Sequence, residues 1–282
     1  MTPLRQRMID DMTVRGLAEN TRKSYLGAVT GLARHYRQSP DGLDARQVQD
    51  YLIHLHEKRG LTWTSCNAAR HAIRFFYRIT LGLPDPYLYV PGAKQPSKLP
   101  EILNHDELVR LFTVATNPKH RALLMTAYAA GLRASELTRL RVADIDSGRM
   151  ALRVDQGKGN KDRYVPLSPQ LLEHLRSYWR RERPEHWLFP GRCRDGSLSR
   201  HGPAHIYTAA KTKADIDKAG GIHTLRHCYA TGLLEAGVEL TVIQRRLGHS
   251  SIRSTMRYLH LAQERTAATP SPLDLMAFPA QA

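Results

Sequence analysis

Residues 150–167 read MALRVDQGKGNKDRYVPL, and this stretch decides the fold class. MALRVDQ and DRYVPL flank Gly157-Lys158-Gly159-Asn160, which is the turn chemistry of a β-hairpin. Around them the apolar residues recur at helical spacing. The expectation is therefore a mainly α protein with one small β-sheet or hairpin in its second half.

Working upstream, Asn104-His105-Asp106-Glu107 has the pattern of a capping box and predicts a helix through Leu108, Leu111 and Phe112. Before it, between Gly82 and Pro100, lie Pro84, Pro86, Pro91, Pro96 and Pro100 with no helical period. Proline removes backbone donors and fixes φ, so residues 82–102 read as an extended linker. The first 81 residues read as a separate helical domain. Leu4, Met8 and Met12 form one stripe. Asn20 is the expected N-cap of a second helix with Tyr25, Val29, Leu32 and Tyr36 inward. Asp44 caps a third carrying Val48, Tyr51, Leu52 and Leu55. A fourth, after Thr64 or Ser65, lines up Ala69, Ala72, Ile73, Phe76 and Ile79. Downstream, 103–267 form the second domain. Residues 268–282 are a proline-bearing tail whose Leu273, Leu275, Met276 and Phe278 would pack only against something else.

The chain has 282 residues and a formal net charge of +16. A fold this basic repels itself unless a polyanion binds it, so nucleic acid is the leading partner. No apolar run approaches the roughly 18 residues of a membrane span. The start, MTPLRQRMIDDM, has no apolar core of a secretory signal, so a cytoplasmic location is expected. Cys66, Cys193 and Cys228 are odd in number and far apart, which suits neither a disulfide framework nor a zinc site.

Four patterns in the second domain carry chemistry. GLRASEL sets Arg133 and Glu136 three apart, a spacing that on a helix lets a carboxylate orient a guanidinium; a solvated ion pair has the same signature. Lys158 stands at the hairpin tip. GKGNK is not a P-loop, which needs four residues between its glycines and Lys-Ser/Thr after the second, so a mobile proton donor or phosphate contact competes there with a solvated turn. HTLRH places His223 and Arg226 one helical turn apart, and LGHSSIRSTMRYLH puts His249 nine residues before Tyr258. Each residue is commonplace alone; Tyr258 is one tyrosine among 12. Together they supply what displacement at a phosphodiester requires: a nucleophile, cations for the non-bridging oxygens, a proton acceptor and a proton donor. HExxH, GxSxG and acidic metal clusters are missing from the sequence, and no cofactor is expected.

GLRASEL, GKGNKDRYVPL, HTLRH, LGH and TMRYLH, together with WLFPG, closely resemble the signature motifs of the tyrosine recombinases, the phage-integrase and Xer-like group, in the same order. The resemblance covers essentially the whole chain. It implies a two-domain, C-shaped clamp on double-stranded DNA at a specific recombination site: a helical core-binding domain, a linker and a catalytic domain. It implies that Arg133 and Arg226 grip the scissile phosphate and that Lys158 protonates the 5′-oxygen leaving group. His223 assists the tyrosine's proton, His249 is a further phosphate ligand, Glu136 supports the site from behind, and Tyr258 becomes a 3′-phosphotyrosine. That linkage keeps the energy of the broken bond, so neither ATP nor a metal is called for.

The resemblance further implies a homotetramer on two DNA sites, formed from monomers or dimers in solution, with a C-terminal segment exchanged around the ring. In the first domain Arg22, Lys23, Arg70 and Arg74 are the expected DNA contacts, a solvated basic helix face being the alternative. A type IB topoisomerase uses similar chemistry, and a catalytically inactive DNA-binding protein could keep the fold. The Xer-like spacing and the intact residue set favour recombination. Integron integrases carry an inserted segment between the third and fourth motifs; here only 22 residues separate Arg226 from His249. The proline-bearing tail favours a mobile-element recombinase over chromosome or plasmid dimer resolution.

Overall fold

The computed structural model describes residues 2–84, 100–155, 162–192, 196–259 and 261. The chain divides into two compact units, Met1–Ser97 and Lys98–Ala282. Lys158, most of the proline-rich segment, Cys193 and the tail after Leu261 lie outside the described residues.

The first unit is built from α1 (Pro3–Val14), α2 (Glu19–Tyr36), α3 (Ala45–Glu57) and α4 (Trp63–Phe75), the last continued by a π-helical turn over Phe76–Thr80. The four stripes read from the sequence meet in one core of Met8, Met12, Val29, Leu32, Val48, Tyr51, Ile73 and Phe76. Asp44 caps α3 as expected: its carboxylate accepts from the Gln47 N–H while the Gln47 side chain accepts from the Asp44 N–H. Two boundaries differ from expectation. Helix α2 starts at Glu19 after an Ala18 with no capping side chain, so Asn20 lies inside its first turn. The acidic Glu19 suits the positive helix start and pairs with Lys23 at 2.6 Å. Helix α4 starts at Trp63, earlier than Thr64 or Ser65, because the Thr62 hydroxyl accepts from the Ser65 N–H.

The second unit contains α5 (His105–Val114), α6 (Pro118–Ala129), α7 (Ala134–Leu137), β1 (Ile145–Asp146), β2 (Ala151–Val154), β3 (Arg163–Pro166), α8 (Pro169–Glu182), α9 (Gly202–Lys213), α10 (His223–Glu235), α11 (Leu240–Leu247) and α12 (Arg253–Met256). The Asn104–Glu107 capping box forms in both directions at the start of α5. The hairpin strands pair antiparallel, with Leu152 opposite Val165 and Val154 opposite Arg163. Leu152, Val154 and Val165 point into the core. Strand β1 adds a third member in the order β1-β2-β3; its two residues are too few to show alternation in sequence. Mainly helical architecture with one small sheet is thus what the chain adopts. Among the described residues no helix is long and apolar enough to cross a membrane.

Candidate active site

The site is assembled where four segments of the second unit converge. Helix α6 stops before Gly131, whose φ of +58° is open to glycine at little cost, and an added Cβ there would collide with the Tyr229 ring. The chain restarts as the short α7 with Arg133 as its N-cap. Arg133 and Glu136 are therefore joined across a helix start, rather than along one helix face as the spacing suggested. The Glu136 carboxylate accepts from the Arg133 backbone N–H and from its Nη1, each at 2.8 Å.

A residue not singled out in the sequence completes this junction. Arg163, on β3, donates Nη1 and Nη2 to the two Glu136 oxygens at 2.8 and 2.9 Å, a two-pronged pair. Burial alone would push the Glu136 carboxyl up; the hydrogen bond and charge of Arg163, with Arg133, outweigh it and hold the group at about 2. Arg226 also reaches this carboxylate, at 3.9 Å. Arg163 follows Lys158 by five positions, and nothing in that spacing marks it. Its role arises from the strand register that turns it toward α7.

The three guanidiniums share a second anchor. Helix α11 ends on a left-handed Gly248, and its last carbonyls lack partners within the helix. Arg246 O accepts from Arg163 Nε at 2.8 Å, Leu247 O from Arg226 Nη2, and Gly248 O from Arg133 Nη2 at 3.2 Å. Cations at the negative end of a helix are stabilised by its dipole as well as by these bonds. Arg226 is 1% exposed and also donates Nη1 to Gly131 O at 2.6 Å. Burial, with Arg133 beside it, lowers its pKa to about 10, which leaves it charged at neutral pH. Its Nε is buried with no hydrogen-bond partner among the described residues, a donor available to an oxyanion. The glycines of GLR and LGH thus have a structural reason: each takes a positive φ that other residues rarely adopt, and its carbonyl receives an arginine.

The remaining residues line the other side. His223 opens α10 and packs edge-on against His227, ring centroids 4.9 Å apart. Tyr258, after α12, is 1% exposed among Ala230, Ile243 and Leu247. Its hydroxyl lies 3.1 Å from His227 Nδ1. The His249 ring lies parallel to that of Tyr258 at 6.4 Å, and its Nδ1 bonds Thr255 Oγ1 at 2.8 Å. Burial raises the Tyr258 phenol above its ordinary value, against the pull of Arg226, Arg257 and Arg133. Burial and the neighbouring charges push His249 down to about 3 and His227 down to about 4, and lower His223. All three rings are therefore neutral near pH 7 without DNA.

Of the site residues expected from the sequence, Arg133, Glu136, His223, Arg226, His249 and Tyr258 come together, and Lys158 lies outside the described residues. His227 was missed, although its signal was present: it stands four residues after His223, on the same helix face. In the first unit, Arg22, Lys23, Arg70 and Arg74 all lie on α2 or α4. Arg22 donates to Thr13 Oγ1 at 3.0 Å, Lys23 pairs with Glu19, Arg70 approaches the His71 ring, and Arg74 is exposed. Among the described residues no group of three or more His, Cys, Asp or Glu side chains could hold a metal ion.

A helical unit with one small sheet, in which one buried and two half-buried arginines gather about a buried carboxylate near a tyrosine, defines a class of oxyanion site with a phenol at its edge. Residues 101–265 match the phage integrase family, and residues 4–85 match the phage integrase N-terminal SAM-like domain. The chain belongs to the phage integrase family of tyrosine recombinases. It is 44% identical over 281 residues to the provisionally named integrase/recombinase y4qK of Sinorhizobium fredii, covering 99% of this chain and 91% of that one. It is 34% identical over 240 residues to tyrosine recombinase XerA of Thermococcus kodakarensis, covering 83% and 84%. The fold matches the crystal structure of XerH site-specific recombinase bound to its palindromic difH substrate with a TM-score of 0.73, at 20% identity over 94% of this chain and 83% of that one.

Proposed function

We propose that this protein is a site-specific DNA recombinase that cuts and rejoins strands through a 3′-phosphotyrosine at Tyr258, in the service of a mobile genetic element. The observation that carries the reading is the cluster itself: one buried tyrosine near Arg133, which Glu136 holds, and Arg226, which the Gly131 and Leu247 carbonyls hold and whose Nε–H has no partner among the described residues. The DNA-bound XerH likeness supports double-stranded DNA as the partner.

In this reading Arg133 and Arg226 hold the scissile phosphate and His249 adds a further contact. Lys158 gives a proton to the departing 5′-oxygen, and His223 is the residue to which the resemblance assigns the phenolic proton. Removing one phosphate-gripping donor costs about 10²–10³ in rate, and each proton transfer contributes about 10²–10⁴. Residues 1–81 serve as the core-binding domain through Arg22, Lys23, Arg70 and Arg74, and 82–102 as the linker. Residues 103–267 are the catalytic domain, and 268–282 the segment exchanged between protomers of a tetramer on two sites. The protein acts on cytoplasmic, nucleoid DNA.

The test is Tyr258→Phe. Duplexes enriched from a random pool by the unaltered protein should still bind the variant but give no protein–DNA adduct on a denaturing gel. An adduct from Tyr258→Phe would remove the assignment.

A further inference from the structure

The resemblance gives the tyrosine's proton to His223, but the hydrogen bond that the Tyr258 hydroxyl makes is to another residue. Its oxygen is 3.1 Å from His227 Nδ1, and both groups are buried. His223 stands one turn nearer the α10 start, its ring at 87° to that of His227. Arg226, Arg133 and Arg257 all bear on His223, and no hydrogen bond joins it to the phenol among the described residues. His249 has no hydrogen bond to the phenol among the described residues: its ring lies 6.4 Å from that of Tyr258, and its Nδ1 bonds Thr255 Oγ1. Among the described residues, His227 alone joins the phenol to the rest of the site by a direct side-chain bond.

We propose that His227, not His223, accepts the phenolic proton of Tyr258 as the phosphotyrosine bond forms. This rests on the recombinase reading above. As the tyrosine oxygen bonds to phosphorus, its proton passes to His227 Nδ1. The bond from phosphorus to the 5′-oxygen breaks, and that oxygen leaves as a hydroxyl with a proton from Lys158. An ordinary phenol is only about one part in a thousand ionised at pH 7, so an acceptor in contact with it matters. The groups facing His227 are the Tyr258 hydroxyl, His223, Arg226 and Arg257. Without DNA, burial and these cations keep His227 neutral and its lone pair free. A phosphodiester seated on Arg226 would offset their charge and make the imidazolium easier to form. His223 then belongs to the phosphate side.

The experiment measures single-turnover adduct formation on the selected duplexes. His227→Gln should retain DNA binding and lose about 10²-fold in rate at pH 7, recovering as pH rises. Placing 3,5-difluorotyrosine at position 258 lowers the phenol's pKa and should restore much of that loss. It should restore little in His223→Gln or in Arg133→Gln, whose defects lie elsewhere. A residue that only props up the fold would show no such selective rescue. Independently of any variant, ¹⁵N NMR of the unaltered protein at pH 7 should find His227 as the Nε2–H tautomer, with Nδ1 unprotonated. Equal rates for His227→Gln and the unaltered protein, rescue confined to His223→Gln, or an Nδ1–H tautomer would each overturn the proposal while leaving Tyr258 as nucleophile. An unaltered protein that binds DNA but forms no adduct would remove both.

Discussion

The two ends of the site are held by different physics. At the arginine end, Glu136 joins Arg133 and Arg163 by charge-assisted bonds of 2.8–2.9 Å, and three successive carbonyls at the end of α11 receive Arg163, Arg226 and Arg133. At the tyrosine end, the Tyr258 side chain is held, among the described residues, by apolar neighbours and one hydrogen bond between neutral partners, just after the four-residue α12. Charge-assisted bonds are roughly twice as strong as neutral ones. The oxyanion end is thus set in advance, which is what transition-state stabilisation demands. The nucleophile end can shift at modest cost, which a phenol that must reach phosphorus demands.

The largest test of that contrast is Glu136→Ala. It leaves the half-buried guanidiniums of Arg133 and Arg163 without their buried carboxylate, and the cost approaches the roughly 3–5 kcal/mol of breaking a buried pair. Denaturant unfolding should show the loss; a change below about 1 kcal/mol would mean the junction is not what holds the arginines. Next is Arg163→Lys, which keeps the charge but cannot make the fork to Glu136 and the bond to Arg246 O together. Adduct formation should fall on the order of 10-fold with DNA affinity little changed, since a lost hydrogen bond to a charged group is worth about 1.5–3 kcal/mol. An unchanged rate would reduce Arg163 to packing.

The smallest effect concerns pH. Glu136 at about 2, His227 at about 4 and His249 at about 3 all lie below their ordinary values of 4.5, 6.5 and 6.5. For such groups stability is present above the unfolded value and lost as pH falls toward the folded one. The histidines should act first, between about pH 6.5 and 3, and Glu136 below about 4.5. The denaturation midpoint should therefore drop from pH 7 to 4, and less steeply in His249→Asn. A midpoint flat over that range would contradict the neutral buried state of these rings.

Much of this was legible in the sequence, because local patterns encode it. Apolar period, the Asp44 and Asn104 caps and the paired strands of the hairpin each act within a few residues, and the spacing of His223 and Arg226 is a single turn of α10, whereas that of Arg133 and Glu136 marks a helix start. What escaped was set by distant pairing. Arg163 looks like any strand arginine until β3 is paired and turned toward α7. The α11 carbonyls gain their role only when α7, α10 and β3 are brought to that helix end. Asn20 failed as a cap because Glu19, one position earlier, already suited the start of α2. His227 was overlooked beside the more conspicuous His223 and Arg226, though the same helical spacing pointed to it.

The most direct measurement is to locate the DNA attachment. Adduct formed on a selected duplex, digested with nuclease and trypsin, should carry its residual phosphonucleotide on the peptide 258–265, at Tyr258. Attachment to any other residue, or DNA cleaved without a covalent intermediate, would contradict the tyrosine-centred site.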